Sequence, residues 1–140
     1  MKDRKNIVNL LLILGILWFV FGCVCSKKTT DSAPANLTLH AAELVREFEE
    51  NEARSQQLYQ GKRVRIYGTV NIVKSDNSGG FILIFNTSAN TYHPLQCYFS
   101  EKYSEQLAQI RRNQEATVEG TVHGFNDSNF FLVLDSCSIP

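Results

Sequence analysis

Cysteine, histidine and carboxylate are the side chains with which a short chain does most chemistry, and here they are dispersed. Four cysteines fall in two groups, Cys23 with Cys25 and Cys97 with Cys137. There is no Cys-x-x-Cys and no Cys/His cluster at metal-ligand spacing. His40, His93 and His123 stand in different segments, without the spacing that sets two imidazoles on one helix face. Asp76, Glu119, Asp127 and Asp135 read as solvated or turn-capping carboxylates, not as an acid/base pair. Asn77-Ser78-Gly79-Gly80 lacks the Gly-Lys-Ser/Thr ending of a phosphate loop and reads as a hairpin turn. The expectation is a protein that is not an enzyme, with no catalytic residue, no metal and no cofactor.

Cys23 has a chemistry of its own. Lys2, Arg4 and Lys5 precede an apolar run from Ile7 to Val24 whose one polar side chain is Asn9. As a helix that run is about 27 Å long, close to the thickness of a bilayer's hydrocarbon core. A basic start followed by an apolar stretch is the layout of an export signal. Val20-Phe21-Gly22-Cys23 resembles a bacterial lipobox, with an aliphatic residue three before the cysteine and a small one just before it. That resemblance implies lipidation of Cys23; Phe21 departs from the usual small or aliphatic residue. The competing reading is an uncleaved helix acting as a single-pass anchor. Both attach the chain to a membrane, with residues 26–140 on the extracytoplasmic side, in the periplasm or at the cell surface.

The chain is 140 residues long, with 14 basic and 14 acidic side chains and 44% hydrophobic residues. That composition excludes disorder, collagen and coiled coil as the main state. Beyond residue 25 there are 11 basic and 13 acidic residues, a net charge of −2, which disfavours a nucleic-acid partner. Three segments follow: 1–25 as signal or anchor, 26–36 as a polar flexible linker, and 37–140 as one folded domain.

The elements of that domain can be read from periodicity. Leu44, Phe48, Asn51, Ser55 and Leu58 recur at helical spacing, with Thr38 as the expected N-cap and Gly61 as the terminating residue. Val64, Ile66, Gly68, Val70 and Ile72 alternate with polar residues as a first strand, Gly68 marking a bulge or bend. Phe81 to Phe85 and Leu95 to Phe99 give two more strands. A second helix is expected over 101–112, ended by Asn113. Ala116 to Val122 and Phe130 to Ile139 supply the last two strands. Five strands with a helix between the third and fourth, preceded by an N-terminal helix, is the connectivity of an OB-fold barrel.

The pieces Ala42-Glu43-Leu44, Phe48, Asn51, Tyr59-Gln60-Gly61-Lys62 and Val64 to Val70 resemble the OB-fold family called tRNA_anti-like. So do Cys97-Tyr98-Phe99, Gln114 with Thr117-Val118-Glu119-Gly120, and Leu134 to Cys137 with Ile139. The resemblance covers about Leu37 to Ile139 and implies the OB fold, frequent export or membrane attachment, and no catalytic residues. Asn113 stands where the family usually has glycine, and Arg54 or Ser55 where it usually has alanine.

OB barrels commonly bind along the second and third strands. The candidate ligand face here comprises Arg65, Tyr67, Phe81, Phe85, Tyr92, Gln96 and Tyr98, whose aromatic rings could stack on a ligand. The expected partner is a protein or envelope component, with nucleic acid or a purely structural role as alternatives. In this connectivity the third and fifth strands run parallel and adjacent. Cys97 and Cys137 then meet at one rim and are expected to form a disulfide, provided a bulge lets Leu134 and Cys137 both face inward.

Overall fold

The computed structural model describes residues 35–87, 93–126 and 131–140. The apolar run with Cys23, nearly all of the linker, and Tyr92 lie outside the described residues. Among those described, no helix is long and apolar enough to cross a membrane.

The chain begins with a short strand, β1 (Thr38–His40), then helices α1 (Ala41–Glu50) and α2 (Glu52–Tyr59). Thr38 is therefore not the N-cap; it pairs in parallel with Arg65, and His40 caps α1 by accepting from the Ala42 amide. The single expected helix is two. Asn51 closes α1 through its own amide and opens α2 with its side chain, accepting from the Arg54 amide at 3.0 Å. The break rotates α2, so Tyr59 is buried and Leu58 is 44% exposed.

Strand β2 (Arg63–Ser75) is long enough to serve both halves of the barrel. Its first half, Arg63–Thr69, pairs with β5 (Glu115–Asn126), and its second half, Val70–Ser75, with β3 (Phe81–Phe85). The register shift lies between Val70 and Ile72, not at Gly68, which pairs regularly with Ala116. Gly68 admits α1 instead: a Cβ there would stand 3.2 Å from that of Ala41. Strand β4 (Leu95–Phe99) pairs antiparallel with β3 and parallel with β6 (Phe131–Ser138), and β6 pairs with β5, closing a five-stranded barrel.

The second helix is shorter than expected. A 3-10 turn (Glu101–Tyr103) leads into α3 (Ser104–Ala108), and Ser100 makes no side-chain cap. The Gln109 and Ile110 amides bond three residues back, which tightens the chain out of helix. The segment then docks on β2: the Asn113 amide donates to the Val70 carbonyl, with Asn113 in the left-handed region at φ 63°. Ala41, Leu44, Val45 and Phe48 of α1 join the barrel's inward side chains in one core, to which α3 adds Leu107.

Candidate ligand-binding face

Alternation assigns the two sides of the β3–β4–β6 sheet. Leu83, Leu95, Cys97, Leu132 and Leu134 point into the core. Their neighbours Ile82, Ile84, Gln96, Tyr98, Val133 and Asp135 point the other way. On that outer side Tyr98 stands opposite Ile82, and Gln96 opposite Ile84 and Val133. The Tyr98 hydroxyl donates to Gln96 Oε1 at 3.1 Å.

A bulge completes the site. The register of β5 against β6 shifts between Val122 and Gly124, which leaves His123 as an extra residue beside Asp135. His123 Nδ1 lies 3.1 Å from Asp135 Oδ2, with both side chains about half exposed. A pocket of about 340 Å³ is lined by Tyr98, His123, Phe125, Asn126, Val133 and Asp135. A second concavity, of about 400 Å³, shares Phe125 and Asn126 and continues to His93 and the α1–α2 junction at Glu49–Glu52. Phe125 fixes the boundary, its ring edge-on to Phe48 at 5.6 Å and 5.1 Å from His93. The surface therefore offers aromatic faces, an amide, an imidazole and carboxylates.

Only part of the expected ligand face assembles here. Tyr98 lines the pocket and Gln96 stands behind it, buried. Phe85 is 1% exposed and belongs to the core, because its parity on β3 is inward. Phe81 pairs with Phe99 and lines a separate hollow with Leu107 and Ile110. Tyr67 is exposed on the β2–β5 side, its ring edge-on to His40 at 5.1 Å. Arg65 is there as well, donating from Nε and Nη2 to Glu119 Oε1 at 2.9 and 2.6 Å. Sequence reasoning missed His123, Phe125, Asn126 and Asp135. Val133 and Asp135 were within reach of it, since they share parity opposite to Leu132 and Leu134.

Arg63 and Arg112, like Arg65, are engaged within the chain. Arg63 donates to the Ser136 carbonyl at 3.1 Å and its Nε lies 3.7 Å from Glu119. Arg112 donates to the Asn71 carbonyl and Oδ1, at the bend of β2. Three arginines thus fasten strands and bends. No group of His, Cys, Asp and Glu suited to a metal occurs among the described residues.

Cys97 and Cys137 are both buried and both free thiols, so the expected disulfide is not formed in this structure. The Cys137 thiol lies 3.4 Å from the Leu134 carbonyl, on the residue that pairs with Cys97.

The family model described as tRNA_anti-like matches residues 1–137. The crystal structure of a "putative nucleic acid-binding lipoprotein" from Klebsiella pneumoniae is similar at 24% identity, covering 74% of this chain and 90% of that one, with a TM-score of 0.60. An OBody bound to hen egg-white lysozyme is similar at 13% identity, covering 59% and 84%, with a TM-score of 0.44. No curated protein sequence matches the chain.

Proposed function

Since this chain belongs to the tRNA_anti-like family, we propose that it is a membrane-tethered, extracytoplasmic OB-fold module that binds an uncharged or protein ligand and catalyses no reaction. The observation that carries the ligand class is the pocket between Tyr98 and Asp135. Its polar groups are a hydroxyl, an amide, and an imidazole already facing a carboxylate. The neighbouring concavity adds Glu49, Glu50 and Glu52. A phosphate backbone needs cations, and Arg63, Arg65 and Arg112 are engaged elsewhere. An edge-on or stacked aromatic with a few hydrogen-bond donors suits a neutral envelope component or a peptide surface.

The tether rests on the sequence: the basic start, the apolar run Ile7 to Val24, and Cys23 in a lipobox-like setting. The word lipoprotein in the Klebsiella protein's name agrees with it, while a likeness of 24% identity carries the fold alone. Growth with radiolabelled palmitate tests the tether. Wild type is expected to be labelled and membrane-bound, and Cys23→Ala to lose the label. An unlabelled wild type that stays in the membrane favours the uncleaved anchor. A wild type that is freely soluble contradicts the tether in either form.

A further inference from the structure

Cys97 and Cys137 are 40 residues apart in sequence and are brought together by two local features. The first is the parallel pairing of β4 with β6, which sets Cys97 opposite Leu134. Strict alternation would then turn Cys137 away from the core. The second feature corrects this. Between Glu119 and Thr121 the register of β6 slips by one residue, and Ser136 takes the left-handed conformation at φ 51°. The bulge turns Cys137 back inward, so that Leu134 and Cys137 are both buried. Opposite it, β5 carries Gly120, where a Cβ would stand 2.6 Å from the Cys137 sulfur. The missing side chain makes the space that the sulfur fills.

We propose that Cys97 and Cys137 are a redox pair that closes into a disulfide joining β4 to β6 when the chain folds in the presence of a disulfide oxidant. One thiolate attacks a sulfur of the oxidant, giving a mixed disulfide and releasing one thiolate. The second cysteine attacks the protein sulfur of that mixed disulfide and releases the other. One S–S bond forms in the protein, and the oxidant is reduced to two thiols that take up the two protons. Exchange precedes complete burial. In the finished barrel desolvation, and then the adjoining Cys137 thiol, hold the Cys97 thiol well above its ordinary range, where little thiolate is present. The closed pair is correspondingly shielded from reductants.

The oxidising compartment rests on the extracytoplasmic reading; the pairing of the two sulfurs does not. The test therefore refolds the reduced full chain, in detergent, in a buffer of reduced and oxidised glutathione. Maleimide blocking and peptide mass mapping follow. Linked Cys97 and Cys137 peptides, lighter by two hydrogens, are expected, in wild type and in a Cys23→Ser, Cys25→Ser background alike. The oxidised chain should melt about 10 °C or more above the reduced one. Cys97 and Cys137 recovered as maleimide or glutathione adducts, or joined to Cys23 or Cys25, would overturn the proposal. Linked peptides after refolding but free thiols in protein taken from cells would leave the pairing standing and contradict the compartment.

Discussion

Ser55 is a serine that the fold buries completely, and a carbonyl accounts for it. Its hydroxyl is fully buried and donates to the Glu47 carbonyl at 2.8 Å. That carbonyl is freed for it at the end of α1, where it also accepts the Asn51 amide at 3.1 Å. The pair ties α2 to α1 across the break. Replacing Ser55 by Ala, which keeps the packing, is expected to cost about 1 kcal/mol in denaturant unfolding, the worth of one internal hydrogen bond. Glu47 makes a second tie: its carboxylate accepts from the Tyr59 hydroxyl at 2.5 Å. That hydrogen bond first, then burial and the charges of Glu47 and Glu43, push the Tyr59 phenol up from its ordinary 10.0 to about 12. A raised value means that the contribution is complete below pH 10 and is lost as pH rises through 12. Tyr59→Phe should therefore be less stable by about 1 kcal/mol near neutrality, discounted for the solvent around Glu47. The gap should shrink as pH rises past 10; a gap constant from pH 7 to 11 would contradict the assignment.

Turns and bulges set what the elements can do. Asp76 opens the β2–β3 hairpin, its Oδ1 accepting from the Ser78 and Gly80 amides at 2.8 and 2.7 Å. The Gly80 amide first, then that of Ser78, lower its carboxyl below the ordinary 3.8. The turn therefore gains from the charged form above that value and loses it as pH falls through the depressed one. Nuclear magnetic resonance titration should find Asp76 titrating below an ordinary aspartate, and Asp76→Asn should lose the effect. In β6, Ser136 stands at φ 51°, a conformation that glycine adopts without strain. Ser136→Gly is expected to stabilise the chain by roughly 0.5–1 kcal/mol, and a loss of stability would contradict the bulge. Gly120→Ala is expected to cost about 2 kcal/mol or more, because the added carbon meets both Cys137 and Leu134. These features explain what was legible in the sequence. Period-two runs announced β2, β4 and β5, and a short apolar run β3. Gly61 announced the end of α2 in a left-handed conformation, whereas Asn113, also left-handed, stands five residues beyond the end of α3. The helix break at Asn51 was not legible, since Asn51 keeps helical spacing and its capping bond depends on α2 turning away. Nor was the pocket beside Tyr98. Two register shifts set His123 beside Asp135 and Cys137 beside Cys97, and a shift of one residue reverses every side chain after it.

At the scale of the whole molecule, charge is distributed to hold the barrel. Glu119 of β5 is met by Arg63 and Arg65 of β2 across the pairing that closes the barrel, and Arg112 holds the bend at Asn71. The family's name points to nucleic acid, yet fold and family do not select a ligand. The proposed ligand class rests instead on the pocket lining, which includes Asp135 and His123 and neither lysine nor arginine. Binding of labelled single-stranded DNA and RNA to the full chain in detergent, at about 150 mM salt, decides between the two. The account predicts nothing tighter than non-specific binding, roughly 10⁻⁴–10⁻⁶ M, and no change with Tyr98→Ala. A submicromolar affinity that weakens with salt and is lost with Tyr98→Ala or Arg65→Ala would contradict it.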